Sequence, residues 1–178
     1  AVEEITYAKE KGIDFIICDH HVPDDILPPA VAILNAKRPD NTYPYTHLSG
    51  CGVGFKFMQA FAISNGIEFH HLIPLLSQLI PLLDLCAVSI ASDIVPIMGE
   101  NRILAFHGLK QLNSNPSVGM KAIIDVCGLS EREITVSDIV FKIGPRINAS
   151  GRIQNGKEDI KKFKREVITG TSGIDSMY

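Results

Sequence analysis

The stretch IDFIICDHH, residues 13–21, decides how the rest of the chain is read. Ile13, Phe15, Ile16, Ile17 and Cys18 form a short, nearly unbroken apolar run bounded by Gly12. That is the pattern of a strand buried on both faces of a parallel sheet. Asp19, His20 and His21 follow at its carboxyl end. Ligands of open α/β sheets bind in the crevice beyond that end, so the strand delivers a carboxylate and two imidazoles to the expected place of chemistry. Such a set can hold a divalent metal, orient a phosphate or move protons. Taken alone, it can equally be a turn and a helix cap.

Working outward, residues 1–11 (AVEEITYAKEK) place Val2, Ile5 and Ala8 at helical spacing, with Gly12 as the stop. After the histidines, VPDDILPP reads as a loop, and residues 30–34 (AVAIL) as a second buried strand ending at Asn35. Helix, strand, loop and strand in this order are α/β grammar. The irregular residues 37–47 lead into LSGCGVGFK, where Ser49, Gly50, Gly52 and Gly54 precede a helix expected over about 53–63. A glycine-rich helix start offers backbone N–H groups and a dipole to a phosphate. It can equally permit close helix packing, and it matches neither standard nucleotide-binding loop.

The remainder reads as helical. Residues 69–90 form a helix despite Pro74 and Pro81, with His70 and His71 as a solvated or capping pair. In LLDLCAVSIASDIVP, residues 82–96, the helix runs to about Ala91 and Ser92 breaks it, leaving Asp93 in apolar surroundings. A carboxylate there is costly unless paired or metal-bound; the plainer alternative is an N-cap. Asp84, one helix earlier, is expected at the surface. Residues 99–112 read as an amphipathic helix with Ile103, Phe106 and Leu109 on its buried face, and 118–126 as a helix closed by Gly128. A last helix is expected over 131–143, capped by Thr135 or Ser137. IGPRINASGRI, residues 143–153, then reads as a loop presenting Arg146 and Arg152 to phosphate, or merely braced by Arg146.

With 178 residues, 46% of them hydrophobic, the chain can bury one substantial core and a small annex. Its net charge of −3 excludes a uniformly basic nucleic-acid binder. Residues 142–165 nevertheless hold eight Lys/Arg against two acids, which suits an anionic partner or a solvated helix face. Cys18, Cys51, Cys86 and Cys127 are scattered through apolar or glycine-rich stretches, as expected of reduced core residues in a cytoplasmic protein. The apolar stretch 72–97 is interrupted by Pro74, Pro81, Asp84 and Asp93, so no membrane span is expected. A start at Ala1, inside an expected helix, reads as a fragment.

Taken together and in order, the strand ending in DHH, LPPAVAILNAKRPDNTYPY, LSGCGVGFK, ASDIVPIMGENR and PRINASGR resemble the catalytic region of the RecJ family of single-strand-specific DNA exonucleases. These belong to the DHH phosphoesterase superfamily, and the resemblance runs over about residues 1–156. It implies an α/β fold: a parallel-sheet DHH phosphoesterase domain over residues 1–150, partial and lacking its first strands. The α/β part would occupy 1–60 and a mainly helical subdomain 61–142, followed over 151–178 by the start of a connecting helix and a divergent tail from about Lys164.

The same resemblance implies that His20 and Asp93 bind one of two divalent cations, Mn2+ or Mg2+. Asp19 would support the histidines, His21 would face the substrate phosphate, and Arg146 would lie near the scissile bond. Ser49, Gly50, Gly52, Asn148 and Arg152 would add substrate contacts. The implied reaction is 5′→3′ hydrolysis of single-stranded DNA in repair and recombination, by a water held between two cations. His21 and Arg146 would stabilise the growing oxyanion. Single-stranded DNA, a helicase and a single-strand-binding protein are the implied partners. The family's earlier aspartate-rich motifs, its second catalytic-lobe domain and its OB-fold are absent here, so weak metal binding and little hydrolysis are expected of this chain alone. Two other readings stand beside this one: a DHH phosphodiesterase for oligonucleotides or cyclic dinucleotides, and a non-catalytic nucleic-acid-binding module.

Overall fold

A computed structural model describes residues 2–65 and 79–153; His70, His71 and the tail after residue 153 lie outside the described residues. Helix α1 (Val2–Glu10) buries Ile5 and Ala8. It ends at Gly12 (φ 72°), whose N–H donates to the Lys9 carbonyl while the Ile13 N–H donates to Ala8, both at 3.0 Å. This is the Schellman ending that a left-handed glycine allows. Strands β1 (Ile16–Cys18) and β2 (Ala32–Leu34) pair in parallel, with Ile16 opposite Ala32 and Cys18 opposite Leu34. One further bond, from the Asp19 N–H to the Leu34 carbonyl at 3.0 Å, hangs the first acidic residue from the end of β2.

The strand expected over residues 13–18 is shorter and far less covered than its composition suggests: Ile13, Phe15 and Ile16 are 55%, 40% and 53% exposed. A continuous apolar run is suited to burial on both faces. Among the described residues, the sheet has two strands.

Helix α2 (Gly50–Ser64) starts earlier than expected, so its glycines lie in its first two turns rather than in a preceding loop. Ser49 is the fully buried N-cap, its Oγ accepting from the Gly52 N–H at 3.2 Å. A Cβ at Gly52 would come within 3.3 Å of that oxygen and 3.4 Å of Leu48, so close packing requires the small residue.

A 3-10 turn (Ile80–Leu82) leads into α3 (Leu83–Ser92), the central element, buried on nearly every side. One side of α3 packs with Val53 and Phe55 of α2 and with Leu104 and Ala105 of α4 (Gly99–Ser114). Its other side packs Val88 and Ala91 against Leu112, against Met120 and Ile124 of α5 (Val118–Val126), and against Ile139 and Ile143. At Gly108 the backbones of α3 and α4 nearly touch: a Cβ there would lie 2.1 Å from the Leu83 carbonyl oxygen. That contact decides which stripe of α4 is buried. Asn101, Leu104, Ala105, Gly108 and Leu112 face inward. Ile103 and Phe106, expected in the core, are 61% and 67% exposed. The small residues, rather than the most apolar ones, set the helix crossing.

Asp84, expected at the surface, is fully buried. It accepts from its own helix start, the Leu85 N–H at 2.6 Å, and from the Ser117 N–H at the head of α5 at 2.7 Å. Two helix N-termini thus share one carboxylate, favourable ground for a negative charge. The cysteines also depart from expectation: Cys86 is buried, its thiol pushed up to about 12 by burial, but Cys18 and Cys51 are exposed.

Gly128 (φ 66°) closes α5, with its own N–H on Asp125 and that of Leu129 on Ile124. Thr135 caps α6 (Val136–Asp138) in a reciprocal capping box with Asp138. Arg132 pairs with the Asp138 carboxylate, and these bonds hold that carboxyl well below the usual range. A π-helical turn (Ile139–Ile143) follows and runs directly into α7 (Gly144–Ile153). The segment expected to be a loop is therefore helix. Pro145 has no N–H for the ordinary bond and would crowd the carbonyl four residues back. Widening the preceding turn, with the Gly144 N–H on the Ile139 carbonyl, lets the chain continue as helix. Among the described residues, no helix is long and apolar enough to cross a membrane.

Candidate metal centre

Where β1 ends, Asp19 folds back on the residues that follow it. Its Oδ1 accepts from the His20 N–H at 2.7 Å, the His21 N–H at 3.2 Å and His21 Nδ1 at 2.7 Å. Partial desolvation pushes this carboxyl up, but the bonds from His21 and His20 outweigh it, and the net shift is downward. With the proton on Nδ1, His21 keeps its Nε2 lone pair for an outside partner. Asn35, buried at the end of β2, completes the turn: its Nδ2 donates to the His21 carbonyl at 2.8 Å and its Oδ1 accepts from the Lys37 N–H at 2.9 Å. Sequence reasoning marks Asn35 only as a strand end. A short polar side chain closing an apolar run beside the histidine strand is the available signal.

The His20 and His21 rings are 4.3 Å apart, centroid to centroid. The His20 side chain is 16% exposed and lies against the first turn of α2. A Cβ at Gly50 would stand 3.4 Å from its Cδ2, so the start of α2 lies within ordinary van der Waals reach of the ring.

Asp93 reaches the same place from the far end of α3. It is the C-cap of that helix, its N–H donating to the Ser89 carbonyl at 2.9 Å, which removes the N-cap alternative. Its Oδ2 lies 3.7 Å from His20 Nε2 and accepts from Ser89 Oγ at 3.1 Å. Directly after it, Ile94 takes a left-handed conformation (φ 52°), a strained one for a β-branched residue, and turns the chain away.

Asp19, His20 and His21 each offer a ligand atom, and these atoms lie within 4.8 Å of one another. Asp93 adds a carboxylate beside His20. Imidazole and carboxylate converging on one space fit a divalent cation of intermediate hardness.

A cleft of about 610 Å³ opens next to Asp93. Cys51, Ser89 and Ser92 line it on one side, Arg146, Ile147 and Asn148 of α7 on another, and Leu85, Val88, Met120 and Ile123 form apolar walls. Arg146 is tied one turn back, its Nη1 donating to the Lys142 carbonyl at 3.0 Å. The structure thus brings together Asp19, His20, His21 and Asp93, and sets Arg146 and Asn148 in the cleft that Asp93 lines. It does not bring Ser49 or Gly52 there: both are buried in the α2 cap. Gly50 touches the centre only through His20, and Arg152 lies further along α7. A second cleft of about 400 Å³, between β2 and α2, is lined by none of the predicted site residues.

Residues 1–90 match the sequence profile of the DHH family, N-terminal domain. The chain is 39% identical over 154 residues to the single-stranded-DNA-specific exonuclease RecJ of Bacillus subtilis (strain 168), which covers 86% of this chain and 18% of that protein. It is 36% identical over 157 residues to that of Escherichia coli (strain K12), covering 85% and 27%. The chain therefore spans no more than about a quarter of these relatives. Among solved structures, exonuclease RecJ bound to manganese superposes with a TM-score of 0.63 at 28% identity, over 85% of this chain and 36% of that one. RecJ from Thermus thermophilus in complex with Mn2+ gives the same score and identity over 85% and 21%. A strand that ends in Asp-His-His, a distant aspartate folded against the first histidine, and a profile match over half the residues agree: the chain belongs to the DHH family.

Proposed function

We propose that this chain carries part of the catalytic centre of a metal-dependent, single-strand-specific DNA exonuclease, the activity for which its RecJ relatives are named. The observation that carries the reading is the approach of His20 Nε2 to Asp93 Oδ2, 3.7 Å apart although distant in sequence. His20 and Asp93 would hold Mn2+ or Mg2+; the manganese-bound neighbours support this choice. Bound there, a cation supplies the positive charge that makes a water acidic and offsets charge on phosphate oxygens.

The chain's own groups do the rest. Asp19 fixes the tautomer and direction of His21, whose largely exposed ring then presents Nε2 to a phosphate oxygen. Arg146 and Asn148 bring cationic and hydrogen-bonding groups to the cleft beside Asp93, where phosphate charge grows during hydrolysis. A two-cation mechanism needs more carboxylates than Asp19 and Asp93, so this chain alone binds metal weakly and hydrolyses little. Action from the 5′ end in repair and recombination, beside a helicase and a single-strand-binding protein in the cytoplasm, belongs to the same reading.

The test is Mn2+-dependent nucleotide release from 5′-labelled single-stranded DNA. It compares the chain alone with the chain grafted in place of the matching stretch of the Bacillus subtilis relative, each with His20→Ala and Asp93→Ala versions. Activity in the graft, lost in both variants, is expected. Turnover of dinucleotides without action on DNA would move the assignment to the small-substrate phosphodiesterases. A folded graft that binds DNA but cleaves neither substrate would leave a binding module.

A further inference from the structure

The metal centre of the proposed function is held by more than its ligands. Ser89 sits one turn before Asp93 on α3, and its Oγ donates to Asp93 Oδ2 at 3.1 Å, the oxygen that faces His20. A hydroxyl has a single proton, so its direction matters. Here the Cys51 N–H donates to the same Oγ at 3.4 Å, taking up a lone pair and leaving the proton for Asp93. Cys51 belongs to the first turn of α2, next to Gly50, which packs on the His20 ring. One helix start therefore touches both candidate ligands, the imidazole directly and the carboxylate through Ser89.

We propose that Ser89 is a positioning residue: oriented by the Cys51 N–H, its hydroxyl locks the Asp93 carboxylate toward His20 for metal binding. The glycine-rich segment thereby acquires a role other than cradling phosphate. Its first turn is a brace for the metal ligands, with Gly50 in van der Waals reach of the His20 ring and the Cys51 N–H on Ser89. Partners that orient metal ligands typically change metal affinity by about 10–100-fold when removed. The carboxylate here is also partly exposed, with a side chain 37% accessible, so without Ser89 it can rotate toward solvent.

The inference rests on the metal-centre reading, and the experiment separates the two. NMR on this chain without metal reads the Asp93 χ1 rotamer from three-bond couplings; Mn2+ titration then reads affinity and location from paramagnetic broadening. Wild type and Ser89→Thr, which keeps the hydroxyl, should show one Asp93 rotamer and Kd values within about twofold of each other. Ser89→Ala, which favours the helix and should fold, is expected to show rotamer averaging and Kd about tenfold weaker. Unchanged couplings and an unchanged Kd in Ser89→Ala would overturn the role of Ser89. If Mn2+ broadens wild-type residues away from His20 and Asp93, or binds His20→Ala as tightly as wild type, the metal role is overturned. The couplings still show in that case whether Ser89 holds Asp93.

Discussion

Replacing Gly108 by alanine tests whether the candidate metal centre depends on how α3 and α4 pack. The added methyl would lie 2.1 Å from the Leu83 carbonyl oxygen and 2.8 Å from Ala87 Cβ, where ordinary contact begins near 3.4 Å. Neither neighbour can rotate aside, since one is backbone and the other a single methyl on a helix. The two helices must therefore separate by roughly 1 Å. Overpacking of this kind costs about 1–3 kcal/mol, and a rigid obstacle belongs at the upper end. Alanine's better helix propensity returns about 1 kcal/mol. The net expectation is about 2 kcal/mol of destabilisation, or a Tm about 4–8 °C lower for a chain of this size.

Gly54 supplies the control, because it too is helical but a Cβ there meets nothing within 4 Å. Gly54→Ala should stabilise by about 0.5–1 kcal/mol. Thermal and urea unfolding followed by circular dichroism compare the three proteins. Because α3 carries Ser89 and leads directly into Asp93, Gly108→Ala should also weaken Mn2+ binding, whereas Gly54→Ala should not. A Gly108→Ala protein as stable as wild type would refute the close crossing, and with it the account of why Ile103 and Phe106 face outward.

Removing the buried carboxylate in Asp84→Ala leaves the Leu85 and Ser117 N–H groups without their partner and should cost about 2–4 kcal/mol in urea unfolding; an effect under about 0.5 kcal/mol would contradict the two-helix clamp. Asn35→Ala frees the Lys37 amide, whose hydrogen exchange should accelerate by about tenfold; unchanged protection would mean that Asn35 does not hold the histidine turn. The Asp138 carboxyl is held below its unfolded value by Arg132 and Thr135, so the unfolded state takes up protons first as pH falls. The stability it contributes is complete above pH about 4 and declines in more acid solution toward the folded value. Arg132→Met should flatten that decline in urea midpoints taken between pH 7 and 3, and an unchanged acid slope would contradict the pairing.

Local signals and long-range geometry divide the work unevenly. The stop at Gly12, the closure at Gly128 and the cap at Thr135 are legible because each is a property of a few consecutive residues: a left-handed glycine or a hydroxyl before a helix. Asp93 stands out because a lone carboxylate among apolar neighbours is costly anywhere. The PRINASGR segment reads as a loop because its arginines lie between glycines, and only the widened turn before it shows how a helix runs on through Pro145. Hydrophobicity places Ile103 and Phe106 in the core, whereas the buried stripe follows the smallest residue, Gly108, through a contact with Leu83 far away in sequence.

The sequence by itself determined the chemistry available: which imidazoles and carboxylates are present, that one strand presents three of them in a row, and that their order matches the DHH family. Tertiary structure alone decided that His20 and Asp93 meet, that Ser89 and Gly50 lie against them, and that Arg146 shares the cleft beside Asp93. The physical reason is range. Strand, cap and turn preferences act over a few residues, whereas the meeting of two candidate ligands from different elements depends on how strands and whole helices pack against one another.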